Sequence, residues 1–216
     1  MHINYTCVQY PDVRLRMRDG AKIRGFFAKT YSSEDRMHNH TDTGPIYRYP
    51  VVQYKVIEGI PTLVGVADGA NLILDVGICT EEINIENTRF CLERAEINTN
   101  SASFGTCNDI HKYIFKTPWL ALNQNNSEKY RNADELAKDS LLSKILIGNL
   151  LSMAKSLDCW VNDEIRIKLN VIPIKVNFKG KSMIAFKGGF KANFDIPDYL
   201  GVGKSVSRGY GSIEKQ

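Results

Sequence analysis

Both halves of the chain present the same succession of residue patterns, and no other feature limits the fold so strongly. Each half has a run rich in β-formers, then apolar residues at helical spacing, then two further β-rich runs. A short helical or irregular piece and a last β-rich run close it. Alternation with period two marks a strand with one buried face, whereas spacings of three and four mark an amphipathic helix. The two halves share no repeat by letter identity, so the repetition is one of pattern alone. Hydrophobic residues at 43% and charged residues at 24% exclude disordered, collagen-like and coiled-coil chains. The longest apolar candidate, around Leu141–Leu151, is interrupted by Ser143, Lys144 and Asn149. It falls short of the ~18 residues of a membrane helix. Met1-His2-Ile3-Asn4 lacks the basic and apolar regions of a signal peptide. The five cysteines (Cys7, Cys79, Cys91, Cys107 and Cys159) form no C-x-x-C pair. A soluble cytoplasmic protein is expected, with reduced thiols, no zinc knuckle and no membrane partner.

In the first half, Ile3–Tyr10 reads as a strand stopped by Pro11, and Asp19–Tyr31 as a helix on Ile23, Phe26 and Phe27. The polar stretch from Ser32 to Gly44 reads as a loop. Tyr47–Ile57 and Ile60–Val66 flank Glu58-Gly59, a two-residue hairpin signal. Residues 68–77 suit a short helix and Thr88–Ile97 a closing strand. In the second half, Lys112–Leu122 reads as a strand, and Asn132-Ala-Asp-Glu135 as a helix N-cap with a capping-box carboxylate. The apolar stripe of that helix comprises Leu136, Leu141, Leu142, Ile145, Leu146, Leu150 and Ala154. The runs Glu164–Asn170, Val171–Phe178 and Ser182–Phe194 follow as strands. This order is the split βαβ arrangement, so the expected fold is α+β: tandem ferredoxin-like (RRM-like) βαββαβ domains with a C-terminal glycine-rich loop. The domains are placed at residues 1–105 and 106–216.

A formal charge of +4 conceals a division along the chain. Residues 1–60 carry a net +3, residues 61–160 a net −4 and residues 161–216 a net +5. Positive charge thus collects at the two ends, which points to an anionic partner. In Val171–Phe178 the even positions are apolar and Lys175, Asn177 and Lys179 lie opposite. In Ser182–Phe194 the even positions are again apolar, with Lys187 and Lys191 opposite. Pairing even with even needs an odd loop, most simply Lys179-Gly180-Lys181, and sets the hairpin lysines on one solvent face. Such a face is either a solubilising strand surface or a phosphate-binding one.

The segment Gly201-Val-Gly-Lys-Ser-Val-Ser-Arg-Gly-Tyr-Gly211 is the most unusual in the chain. Its glycines, with Lys204, Ser205 and Arg208, let backbone N–H groups approach an anion without side-chain obstruction. Gly203-Lys204-Ser205 imitates the end of a P-loop, but the first glycine of that motif would fall at Asp198. No following helix remains either, so nucleotide binding is excluded.

A glycine-rich loop with embedded Lys and Arg, just before the last strand of a second ferredoxin-like domain, resembles the RAMP proteins. Gly20-Ala-Lys-Ile-Arg-Gly-Phe-Phe-Ala-Lys29 and the His-Asn-His run at 38–40 carry the likeness further. With them the chain is similar to the CRISPR repeat-processing endoribonucleases (the sixth Cas family) in their b-type branch. The resemblance implies metal-independent cleavage of CRISPR repeat RNA by its own 2′-OH, leaving a 2′,3′-cyclic phosphate and a 5′-OH, with no cofactor and no metal. Such a reaction needs a base for the 2′-OH, an acid for the departing 5′-oxygen and a cation for the phosphorane. Histidine, with an ordinary pKa of about 6.5, suits the first two roles.

His38 and His40 are therefore candidate base and acid, with Tyr47 an alternative acid, and Lys29 is placed at the developing charge with Arg48 second. Candidate RNA contacts are Arg48, Lys175, Lys179, Lys181, Lys187, Lys191, Gly201, Gly203, Lys204, Ser205, Arg208 and Gly209. A zinc reading of His38, His40 and Asp42 lacks a fourth ligand, and His111 reads as a sheet-surface residue. Homodimers and CRISPR effector complexes are compatible partners. The competing reading is a non-catalytic RAMP subunit that holds guide RNA. A generic RNA-binding module lacks the aromatic RRM signature.

Overall fold

The first β-rich run forms β1 (His2–Gln9), which buries Ile3, Tyr5 and Cys7. In this computed structural model, residues 1–38, 40–41, 44–45 and 48–216 are described, with side chains given outside 38–47. β1 pairs with β5 (Ile60–Val66) on one side and β8 (Glu96–Ser103) on the other; β4 (Val52–Ile57) lies beyond β5. Every pairing is antiparallel, and the order β4-β5-β1-β8 is that of a βαββαβ sheet. Helix α1 (Gly20–Thr30) buries Ile23 and Phe27 as its spacing requires. Helix α3 (Gly69–Cys79) buries Ala70, Ile73 and Val76. The β4–β5 hairpin turns on Glu58 and Gly59, both at positive φ, as a two-residue turn matched to strand twist demands.

Two expectations fail in this unit. The polar stretch read as a loop contains α2 (Asp35–His38) and a short pair, β2 (His40–Thr41) with β3 (Gly44–Pro45). The closing strand is β8, not Thr88–Ile97. Thr88–Cys91 instead forms β7, paired with β6 (Glu82–Ile85) in a separate hairpin that buries Ile83 and Ile85. Leu92–Ala95 is irregular and separates the two. Period-two patterning cannot locate such a break, because both flanking runs are β-formers.

The second unit has the same sheet order. β9 (Gly105–Phe115), β10 (Ile167–Phe178), β11 (Lys181–Asp195) and β12 (Ile213–Lys215) are arranged β10-β11-β9-β12. β9 begins earlier than expected, and the runs Glu164–Asn170 and Val171–Phe178 belong to one strand. The crossover from β9 to β10 holds two helices, α4 (Gln124–Asn132) and α5 (Glu135–Ser156). α5 is capped by Asp134, whose carboxylate accepts from the Ala137 N–H at 2.8 Å; Asn132 ends the preceding helix. Leu136, expected in the buried stripe, is 84% exposed, because it lies in the first turn of α5. Between β11 and β12, where the first unit has α3, the second unit has the glycine-rich segment and a short 3-10 turn (Val206–Arg208) instead of an α-helix.

The hairpin register also differs from expectation. Phe178 pairs with Lys181, so the loop is Lys179-Gly180, two residues rather than three, and even positions of β10 pair with odd positions of β11. Lys168, Lys181, Lys187 and Lys191 therefore share a face that Lys175 does not. A two-residue turn with both φ positive matches strand twist better than a three-residue loop, which overrides the hydrophobic parity near the tip. Ile172 is 55% exposed as a result.

Contacts divide the chain into Met1–Ser103 with Val206–Gly209, and Phe104–Ser205 with Tyr210–Gln216. No helix among the described residues is long and apolar enough to cross a membrane. The second core is aromatic. Trp119 stacks on Phe115 at 5.3 Å, Phe190 packs on Tyr113 and Phe115, and α5 adds Leu142, Leu146, Leu150 and Met153. The buried Tyr113 hydroxyl donates to the Phe194 carbonyl (2.8 Å) and accepts from the Ile196 N–H (3.1 Å). Tyr113→Phe leaves both partners unsatisfied and is expected to lower unfolding stability by about 1–3 kcal/mol, measured by urea titration.

Candidate functional site

Strand β4 organises the first unit because it is buried on both faces. On one face Tyr54 stacks against Phe27 of α1, with ring centroids 5.6 Å apart. Its hydroxyl donates to the Met37 carbonyl at 2.9 Å. Desolvation holds the Tyr54 phenol well above its ordinary range, so it remains a neutral donor. Arg36 bonds Glu34 (2.6 and 2.7 Å) and the Asp68 carbonyl (2.9 Å). Residues 34–37, immediately before His38, are thus tied to the unit. Beyond the segment Tyr49 is buried, and the Gln53 amide donates to the Pro50 carbonyl at 3.0 Å. The side chains of His38 and His40, and Tyr47 altogether, lie outside the described residues. Lys29 is exposed in the last turn of α1, and Arg48 is exposed where the chain approaches β4.

The opposite face of β4 carries Lys55, which is completely buried. Its ammonium donates to Gln53 Oε1 at 2.8 Å and to the Val206 carbonyl at 3.4 Å. Burial draws its pKa down to about 7. Val206 opens the 3-10 turn of the glycine-rich segment, and Gly209 closes it at φ +94°. A Cβ at Gly209 would lie 3.3 Å from the Tyr54 carbonyl oxygen, so only glycine lets the turn lie along the edge of β4. Arg208 lies near Arg24 of α1. Burial first, and the Arg208 charge second, hold the Arg24 guanidinium below its usual range. A bound anion would relieve that repulsion, and phosphate matches guanidinium geometry.

In the second unit the glycine-rich residues do different work. Gly201 bridges to Ser212, and Gly203, at φ +96°, sits where a Cβ would come within 2.6 Å of the Trp119 indole nitrogen. Lys204 Nζ donates to the Leu122 carbonyl at 3.2 Å, and Ser205 adopts positive φ beside it. These residues shape the loop. Lys204 also lines a cleft of about 690 Å³ with Arg131 and Lys181.

The register places Lys168 opposite Lys191 and Lys191 opposite Lys112, so three exposed lysines stand side by side across β10, β11 and β9. They line a groove of about 550 Å³ with Asn170, Gly188 and Gly189. Directly opposed like charges are unfavourable unless an anion sits among them. Lys187 and Lys175 are exposed elsewhere on the hairpin, and Lys179 lies over the Phe178 ring at 5.7 Å in the turn. Sequence patterns alone do not single out Arg24, Lys55, Lys112, Arg131 or Lys168. Strand parity puts Lys168 on the polar face, but only the register brings it beside Lys112.

Two family models match this chain: the Cas6b N-terminal domain over residues 1–103 and the Cas6b C-terminal domain over residues 105–216. A solved structure of a Cas6b superposes with a TM-score of 0.96 at 42% identity, both chains covered in full. A second, a CRISPR RNA processing endoribonuclease Cas6b, gives 0.82 at 39% identity, again over both chains in full. An uncharacterised protein of Methanocaldococcus jannaschii is 39% identical over 133 residues, 61% of this chain and 90% of its own length. A type IV Cas6 crRNA endonuclease, at 10% identity and a TM-score of 0.55, shares the fold.

The buried lysine has a consequence for pH. Its folded-state pKa of about 7 lies below the ordinary 10.5, so between those values the unfolded chain holds the extra proton and stability rises with pH. Relative to Lys55→Met, the wild type is expected to gain ~2 kcal/mol of unfolding stability between pH 7 and 9. Denaturant titration at the two pH values checks this; parallel profiles would contradict it.

Proposed function

The chain belongs to the Cas6b family, and from that premise we propose that it is an endoribonuclease that processes CRISPR RNA. We further assign it metal-independent cleavage within the repeat. The observation that carries this reading is a match over both halves at once to a CRISPR RNA processing endoribonuclease Cas6b, in sequence as well as fold. In the reaction, the 2′-oxygen bonds to the adjacent phosphorus and the P–O5′ bond breaks. A base takes the 2′ proton and an acid supplies a proton to the departing 5′-oxygen. The products are a 2′,3′-cyclic phosphate and a 5′-OH, and no external water or metal enters the balance.

His38 and His40 act as base and acid in this reading, with Tyr47 the alternative acid. Residues 34–37 supply a fixed approach to them through Arg36 and the Tyr54–Met37 bond. Lys29 stabilises the charge that develops on the phosphorane, a contribution typically about 3–4 kcal/mol for a preorganised donor. Arg24 and Arg208 hold a phosphate of the backbone in the first unit. Lys112, Lys168 and Lys191 do the same in the second, along single-stranded RNA whose bases remain free to be read.

Labelled repeat RNA in EDTA is expected to be cut to fragments ending in cyclic phosphate, identified by mass. His38→Ala and His40→Ala are each expected to slow cleavage by about 10²–10⁴-fold. Uncut RNA with the wild type would remove the enzyme. Binding without cutting would leave a subunit that holds guide RNA, and unchanged cutting by both variants would move the chemistry elsewhere.

Replacing Lys112, Lys168 and Lys191 together by Ala is expected to weaken RNA binding. The slope of log K against log salt should become shallower by about 2, at ~0.7 for each phosphate no longer neutralised. An unchanged slope would remove the lysine row from the RNA path.

A further inference from the structure

Outside the surfaces described so far, three different metal-ligating side chains converge at one end of the second sheet. Cys107 and His111 belong to β9 and Asp195 ends β11; the Sγ, imidazole nitrogen and carboxylate oxygen all lie within 4.8 Å of one another. The pairing of β9 with β11 creates this convergence. Thr106 pairs with Phe194 and His111 with Ala192, so residues 107–110 on β9 stand opposite the single residue Asn193. The extra residues bulge out, with Cys107 the first of them and His111 the first paired residue after them. Asp195, paired with Gly105, is the group they meet.

We infer that Cys107, His111 and Asp195 form a zinc site, with a water molecule as the fourth ligand. Zinc takes thiolate, imidazole and carboxylate in tetrahedral sites, at about 2.3, 2.0–2.1 and 2.0–2.2 Å. Bond lengths of that size at a tetrahedral angle put nitrogen and oxygen about 3.3 Å apart. His111 Nε2 already lies 3.0 Å from Asp195 Oδ1. The Cys-x₃-His spacing resembles the short spacings of structural zinc ligands.

Without a metal, one carboxylate must answer several donors. The His111 imidazole and the Lys215 ammonium both approach Asp195 Oδ1, at 3.0 and 3.1 Å. The Cys107 thiol donates to the Asp109 carbonyl at 3.4 Å and has the same carboxylate within 4.8 Å. Burial, then the Asp195 charge, hold that thiol protonated above its ordinary range. Zinc replaces the thiol proton, which leaves to solvent, and takes the lone pair of Nε2 on a neutral imidazole whose one ring proton sits on Nδ1; Lys215 remains on Oδ1 to orient the carboxylate. Each ligand is partly exposed, so an ion has a route in. The bound ion would fasten the β9 bulge to the end of β11 and has no part in the proposed RNA cleavage.

The test is titration of chelator-treated full-length protein with cobalt(II) and with zinc. The expected result is one equivalent of cobalt bound per chain, with a thiolate-to-metal charge-transfer band in the near ultraviolet that zinc abolishes. Cys107→Ser should lose the band. His111→Gln should bind cobalt more than about 10–100-fold more weakly, the usual effect of losing a residue that only orients a ligand. Cys91→Ser, which removes an exposed thiol elsewhere, should keep the band. Zinc should also raise the melting temperature of the wild type by a few degrees and leave that of Cys107→Ser unchanged. A wild type with no charge-transfer band, a band that survives Cys107→Ser, or a band lost in Cys91→Ser would each overturn the site. Circular dichroism at matched concentration shows that each variant is folded, and none of these readouts involves RNA.

Discussion

A strand buried on both faces is the constraint on which the first unit depends. β4 lies at the edge of its sheet, yet all six of its residues are inaccessible. An edge strand normally presents unpaired backbone groups to solvent and must be covered. Here the Val206–Gly209 turn lies along it, close enough that glycine is required. Consecutive side chains then perform opposite tasks. Tyr54 points to the helical side and fixes Met37, one residue before His38. Lys55 points the other way and binds the Val206 carbonyl. One short strand therefore holds the approach to the candidate histidines and the turn that carries Arg208.

Burying an ammonium is costly, and the depressed pKa of Lys55 expresses that cost. Its two acceptors, the Gln53 side-chain oxygen and a main-chain carbonyl, are neutral. An ammonium held by neutral acceptors leaves the local field positive beneath a turn that also bears Arg208. That arrangement favours an anion on the outer side of the turn. The glycine-rich segment itself takes the place where the first unit has α3. A helix there would satisfy its backbone internally, whereas in the glycine-rich path the N–H groups of Val202, Lys204 and Gly211 go to the carbonyls of Gly211, Leu120 and Pro118.

Much of the fold was legible because strand and helix periods differ. β1, α1, the Glu58-Gly59 hairpin and α3 lie where apolar spacing and turn residues place them. The failures share a cause. Thr88–Cys91 pairs with β6 and not β1 because two adjacent β-rich runs compete for one partner, and pairing is a long-range choice. The β10–β11 register is odd-to-even because turn geometry at Lys179-Gly180 outweighs parity at the solvent-exposed tip. Asn132 resembles a cap, yet Asp134 is the cap, because a second helix, α4, occupies residues up to 132.

Site residues divide along the same line. Residue type, read with the family resemblance, marked the polar His-Asn-His run and the Lys and Arg of the glycine-rich tail as candidates for phosphate chemistry, since few other side chains suit proton transfer near neutrality or pairing with anions. Apolar periodicity, a local property, was likewise enough to place β1, α1, the β4–β5 hairpin and α3 in the first half and α5 in the second. Folding in three dimensions was needed to bring Arg208 to Arg24 while engaging Lys204, four residues away in the same loop, with a main-chain carbonyl. Only register aligned Lys112, Lys191 and Lys168, and only a bulge brought Cys107 and His111 to Asp195. These are meetings of residues far apart in the chain, fixed by backbone pairing and core packing, and no local pattern of side chains encodes them.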